Sequence, residues 1–241
     1  MRISACIAAV AVGTALTAAG QPPLPRPRPP ELPPRAIVAP ETSTCYVELA
    51  KIALVRTLPP IVGNDGCGAE DVVRLDGILL EDDTRVMLTQ PATLRCPMAE
   101  QFAHWVRDDL APLANALGKR LQSIESYDSY VCRPRNYVSQ ARVSEHGRAN
   151  ALDVRGFAFS DRSVAVFTDP SVPKSFREAI RASACARFTT VLGPGSDSYH
   201  DTHVHLDILQ RSGGYRLCQW NIGDDTPGVP LPRPRPASLN K

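Results

Sequence analysis

The amino-acid sequence predicts an α+β fold: a mainly antiparallel sheet flanked by helices, with disordered Pro/Arg-rich tails. Three observations predict it. Short strand-like segments mix with few helix-like ones, without the repeating strand–helix–strand rhythm of a parallel sheet. One long segment, 97–117, carries apolar residues at three- and four-residue spacing. The 23 prolines cluster at the two ends, which leaves the middle of the chain to fold.

From the N-terminus, Arg2 precedes an apolar run from Ile3 to Leu16 and the small residues Thr17-Ala18-Ala19. This is the pattern of a signal peptide over residues 1–20. The run is short for a bilayer span and passes directly into Gln21-Pro22-Pro23, so no stable membrane insertion is expected after cleavage; an uncleaved anchor is the alternative. Residues 21–40 form a linker around Leu24-Pro25-Arg26-Pro27-Arg28-Pro29-Pro30, and residues 223–241 form a similar tail around Leu231-Pro232-Arg233-Pro234-Arg235-Pro236. Such segments favour extended polyproline II and bury no core. Their arginines can touch an anionic polymer, although a solvated spacer is the simpler reading.

The folded domain is expected over residues 41–222. Cys45 to Leu58 reads as a short helix, through Val47, Leu49, Ile52, Ala53 and Val55. Val72–Ile78 and Arg85–Leu88 read as strands. In the long helix Met98, Phe102, Trp105, Val106, Leu110, Leu113 and Leu117 share a face; Pro97 suits its first turn and Pro112 is expected to kink or split it. Strands are expected over Leu121–Cys132 and Ala151–Phe159, a helix over Ser175–Arg187, and strands over Thr189–Leu192 and His203–Leu209, separated by the turn-rich Gly193–Ser198.

Hydrophobic content of 43% and charged content of 22% are those of an ordinary soluble domain, and a net charge of +2 gives no reason to expect a nucleic-acid partner. Loss of Cys6 with the signal leaves Cys45, Cys67, Cys96, Cys132, Cys185 and Cys218. An even number in an exported chain points to disulfides, with fifteen possible pairings. No CxxC pair is present, which argues against a cysteine zinc site.

The chain has five histidines, and four fall in two compact segments. One is Ser144-Glu145-His146-Gly147-Arg148-Ala149-Asn150-Ala151-Leu152-Asp153; the other is His200-Asp201-Thr202-His203-Val204-His205-Leu206-Asp207. On a strand, His203 and His205 point to one face while Val204 and Leu206 pack on the other. His146, Asp153 and His205 then make a His2Asp ligand set for Zn2+, with a position left open, and His203 stands beside the ion as acid/base. Asp207 shares the phase of His203 and His205 and can orient an imidazole. His104, on the long helix, reads as a half-buried structural residue, and Glu145 as a solvated loop residue.

These motifs resemble the zinc peptidases that cut D-amino-acid bonds in bacterial cell walls, a superfamily that includes D-Ala-D-Ala metallopeptidases, murein endopeptidases and the hedgehog signalling domain. The nearer resemblance is to the bacterial extensin-like C-terminal domain family. It is carried by Met98-Ala99, Trp105-Val106, Cys132-Arg133-x-Arg135-Asn136, Ser144-Glu145-His146, Ala151-x-Asp153, Val191-Leu192-Gly193-Pro194-Gly195 and His203-x-His205-Leu206-Asp207. The resemblance implies a hedgehog/DD-peptidase-like fold and a periplasmic or secreted zinc metallopeptidase acting on peptidoglycan or another envelope polymer. It implies substrate contacts for Ser144 and His200, and for Arg133 and Arg135, whose guanidinium groups can pair with a peptide carboxylate. Each arginine taken singly also reads as an ordinary surface residue. Thr202 and Val204 depart from the Asp-His-Phe-His common in related chains. The alternative function is a non-catalytic, metal-containing module that binds the envelope.

Overall fold

The computed structural model describes residues 43–169 and 171–223. The expected signal peptide, Cys6, the linker and the tail beyond residue 223 lie outside the described residues. The elements are α1 (Thr44–Ile52), β1 (Ala53–Thr57), β2 (Ile61–Val62), β3 (Gly68–Ala69), β4 (Val72–Leu79), β5 (Arg85–Arg95) and α2 (Cys96–His104). A π-helical turn (Trp105–Leu110), α3 (Ala111–Ala116), β6 (Leu121–Ser126), β7 (Ala151–Phe159), β8 (Val164–Val166), α4 (Lys174–Arg187), β9 (Thr190–Leu192), β10 (Val204–Asp207) and β11 (Leu217–Gln219) follow.

The fold is α+β, with one mixed but mostly antiparallel sheet and a separate β2–β3 ribbon. The strand order is β1-β4-β5-β6-β7-β10-β9-β11, and β8 pairs with β7. Only the β5–β6 and β9–β11 pairs are parallel among the described strands. Along the edge of β7 opposite β6, β10 pairs with Ala151–Val154 and β8 with Gly156–Ala158.

Several boundaries differ from the sequence reading for reasons outside the local pattern. The expected helix over 45–58 stops at Ile52, because Ala53–Thr57 pairs with β4 as an edge strand. Strand β5 runs to Arg95, well past Leu88. Between the pairs Leu75↔Ala92 and Gly77↔Met87, the stretch Leu88–Pro91 stands opposite Asp76 alone. This wide bulge houses Pro91, which has no N–H for a ladder. Its neighbour Gln90 is satisfied by Ser126, whose Oγ accepts the Gln90 N–H at 3.1 Å and donates to the Gln90 carbonyl at 2.7 Å. The strand expected to reach Cys132 ends at Ser126, where the chain leaves the sheet.

Pro112 does not break the long helix. The π-helical turn lets the Ala111 N–H reach the Val106 carbonyl, five residues back. The wider turn accommodates a proline ring that would crowd the preceding turn of a regular α-helix. Trp105, at the start of this turn, is fully buried and forms the centre of the core. Its ring meets Phe102, Phe157 and Phe188 at centroid distances of 5.6–6.3 Å, and its Nε1–H donates to Ser183 Oγ on α4 at 2.9 Å.

The six cysteines pair as Cys45–Cys96, Cys67–Cys132 and Cys185–Cys218. The first joins α1 to α2, the second ties the loop before β3 to the loop after β6, and the third ties α4 to β11. No helix among the described residues is long and apolar enough to cross a membrane.

Trp105→Ala removes the largest fully buried side chain and orphans the Ser183 hydroxyl on that side. It is expected to cost about 3–5 kcal/mol, read as a lowered midpoint in urea denaturation, whereas substitution of the exposed Val62 should leave the midpoint within about 0.5 kcal/mol.

Candidate metal centre

A register irregularity in β7 sets the site. Ser126 pairs with Val154 and Glu125 with Gly156, so Arg155 is an extra residue on β7. Before the bulge Leu152 and Val154 enter the core; after it Phe157 and Phe159 do. Side chains alternate along a strand, and one inserted residue reverses the alternation. Asp153 therefore faces away from the core while both flanking stretches still pack. On β10 the same rule sends Val204 and Leu206 into the core and His205 and Asp207 to the opposite face. The two strands register with Asp153 directly opposite His205.

His146 arrives from outside the sheet, on a 3-10 turn over Glu145–Arg148. Ser144 caps that turn, its Oγ accepting the His146 N–H at 3.4 Å. Glu145 is buried, contrary to the solvated position expected for it, and Asn150 Nδ2 donates to its Oε2 at 2.7 Å. Gly147 lies against the Cys67–Cys132 bridge: a Cβ there would come within 3.0 Å of Cys67 Sγ and 2.8 Å of Val143 Cγ1. The turn closes through Ala149, held at φ 52°, whose carbonyl accepts the Arg95 N–H at 2.6 Å.

The three side chains converge. His146 Nε2 and His205 Nδ1 are 3.0 Å apart, His205 Nδ1 and Asp153 Oδ1 3.0 Å, and His146 Nε2 and Asp153 Oδ1 3.2 Å. All three residues are buried. The outer ring nitrogens are already committed: His146 Nδ1–H donates to the Ser129 carbonyl at 2.6 Å, and His205 Nε2–H to Asp207 Oδ2 at 3.0 Å. With those tautomers, three lone-pair atoms face one point, and a cation, or in its absence a proton on His205, relieves the repulsion between them. Donor atoms this close together suit an ion that takes zinc–nitrogen and zinc–oxygen bonds of roughly 2.0–2.2 Å. The group can hold a metal ion.

A chain of donors fixes His205 from behind. Thr190 Oγ1 and the Leu209 N–H donate to Asp207 Oδ1 at 2.5 and 2.9 Å, and Arg211 donates to Thr190 Oγ1 at 2.6 Å. Such outer partners fix the tautomer and orientation of a ligating imidazole. Burial works against charge on His205, but hydrogen bonds with Asp153 and Asp207 outweigh it and push the metal-free imidazole up to about 9. Burial likewise opposes the Asp153 carboxylate, yet His146 and His205 hold it well below the usual carboxylate range.

The other expected site residues fall on two sides. His203 lies just before β10 rather than within it, and its Nε2 stands 3.4 Å from Asp153 Oδ2, the oxygen turned away from the triangle. Burial lowers its pKa, against the pull of Asp153, which favours the neutral ring. Its ring is 5.3 Å from His200 and 6.1 Å from Tyr127. His200 Nδ1–H donates to Asp197 Oδ1 at 2.6 Å. Arg133, Arg135, Ser144 and His200 share a cleft of about 200 Å³ with His146, His205 and Arg211, and His203 does not line it. Arg133 lies over Tyr137, its Cζ 4.6 Å from the ring centroid. His104 is half-exposed and pairs with Asp108 at 3.0 Å.

Sequence reasoning missed Ser129, Thr190, Asp197 and Arg211. Ser129 acts through its carbonyl, which no side-chain pattern marks. Thr190 is found only once β9 is known to pair with β10, where it stands opposite Asp207.

A family model described as Extensin-like protein C-terminus matches residues 43–219. No curated protein and no solved structure matches the chain.

The raised pKa of His205 carries a signed prediction for the metal-free protein. A folded pKa of about 9 against an ordinary 6.5 gives stability that is complete below about pH 6.5 and lost as pH rises through about 9. Urea midpoints of metal-depleted protein should fall across that window, and His205→Ala should remove the dependence. A midpoint that is flat between these values in wild type would contradict the assignment.

Proposed function

The chain belongs to the extensin-like C-terminal family, and from that premise and the donor triangle at His146, Asp153 and His205 we propose that it is a zinc-dependent hydrolase. The activity is that of a peptidase on peptidoglycan peptides, in the periplasm or outside the cell. One observation carries this reading: three buried donor atoms 3.0–3.2 Å apart, with their outer hydrogen bonds already made, stand beside an arginine-lined cleft. Two imidazoles and one carboxylate suit zinc among the common divalent ions. The three disulfides fit an oxidising compartment. The hedgehog/DD-peptidase likeness rests on the sequence motifs alone.

In this reading His146, Asp153 and His205 would hold the ion, which when bound would supply Lewis acidity and a more acidic water. The protein does the rest. Asp153 uses Oδ1 in the triangle and turns Oδ2 toward His203, so one carboxylate places the acid/base imidazole next to the reacting centre. His203, neutral because it is buried, can take a proton at a ring nitrogen and return it to the leaving amine. Asp207, Thr190 and Arg211 keep His205 in one tautomer. Arg133 and Arg135 offer guanidinium groups to a stem-peptide carboxylate.

The position of His203 outside the arginine-lined cleft favours a second reading, a metal-containing module that binds envelope polymer without turnover. The two separate cleanly. Zinc is expected at about one per chain, lost in Asp153→Asn and His205→Ala. Purified protein with zinc should cleave muropeptide stems, followed by mass spectrometry. His203→Ala should keep its zinc and lose about 10²-fold or more of the rate. Identical product profiles for wild type and His205→Ala sink the enzyme reading; wall binding without products, intact in His203→Ala, establishes the module.

A further inference from the structure

A second, larger groove of about 410 Å³ shares no lining residue with the arginine-lined cleft. Tyr127 connects it to the candidate site: its ring is 6.1 Å from the His203 ring and lines the groove. The floor is the bulge of β7, so the irregularity that turns Asp153 toward the metal also places Arg155 in this groove. The Arg155 guanidinium lies over Tyr127, its Cζ 4.0 Å from the ring centroid. Its Nε is buried without a hydrogen-bond partner, and it has no ion pair among the described residues. A guanidinium left so has donors free for a ligand that reaches the groove. The groove also holds Glu125 and the hydroxyl-bearing Ser123 and Thr89. Glu125 likewise makes no ion pair among the described residues.

We propose that this groove is a subsite for a side chain ending in an amino-acid centre, a carboxylate and an ammonium on one carbon, with Arg155 taking the carboxylate and Glu125 the ammonium. Guanidinium and carboxylate form a planar, charge-assisted pair, and the stacking on Tyr127 holds the guanidinium in a fixed plane for it. Tyr127 joins the groove to His203, so a peptide bound at the metal centre can place such a side chain there. The inference rests on the peptide-substrate reading and adds what kind of residue it selects.

The test uses zinc-loaded protein, residues 21–241, and three synthetic peptides that differ at one position: diaminopimelate (carboxylate and ammonium), lysine (ammonium only) and 2-aminopimelate (carboxylate only). Calorimetry should show diaminopimelate binding about tenfold or more tighter than either analogue, as a charge-assisted bond implies. Arg155→Gln should erase its advantage over lysine, and Glu125→Gln its advantage over 2-aminopimelate. Arg155→Lys, which keeps the charge, should recover part of the first. Thermal melting of each variant separates a lost contact from a lost fold. Equal binding of the three peptides by wild type, no binding of any, or an unchanged preference in folded Arg155→Gln overturns the subsite. Cleavage of all three without preference overturns the subsite and leaves the peptidase intact; Arg155-dependent binding without cleavage does the reverse.

Discussion

A carboxylate with almost no exposure to water, Asp153, governs the architecture around it. Ionised groups in such surroundings survive only with compensating partners. The sheet supplies one by register, since β10 sets His205 directly opposite. The loop supplies the other, His146, and to bring it there the chain must leave the sheet after Ser126 and return at Ala151. The backbone follows the same demand. The Tyr127 N–H donates to the Asp153 carbonyl and the Asp153 N–H donates to the Asp128 carbonyl, so the departing loop is pinned to the residue it serves. With Asp207 and Thr190 behind His205, the network extends across β7, β10 and β9 without leaving one face of the sheet.

The bulge at Arg155 reconciles this polar face with a continuous core. Without it, a β7 that aimed Asp153 at the site would aim Phe157 and Phe159 there too, away from Trp105. The inserted residue lets one strand serve both, and its own side chain is left over as the cation of the neighbouring groove. On the helical side a comparable device operates. The π turn absorbs Pro112 while keeping Trp105 and Leu110 buried on one helix. Both irregularities are places where one residue too many lets two packing demands be met at once.

How much of this was legible in the sequence follows from where each signal is stored. Strand β7 and helix α4 were readable within a residue or so because their periodicity is local. The convergence of His146, Asp153 and His205 was readable because histidine is scarce and concentrated in two segments. The end of α1 at Ile52 was not, since the pairing that turns Ala53–Thr57 into a strand is with β4, many residues away. The bulge was invisible for a different reason: Leu152, Val154, Phe157 and Phe159 look like an uninterrupted apolar run whether or not the phase reverses. The orientation of Arg155, and hence the second groove, was hidden with it. Pro91, as a proline within a strand-like segment, could have announced its bulge, just as Pro112 marks the irregular stretch of the long helix.

The close contact between Gly147 and the Cys67–Cys132 bridge ties a covalent event to a geometric one. The turn that presents His146 packs against a sulfur atom of that bridge. The loop that carries the third donor is crosslinked through Cys132 to the segment before β3, in addition to its backbone ties to Asp153 and Arg95. The geometry of the donor triangle thus depends on a covalent crosslink as well as on the register of β7 and β10.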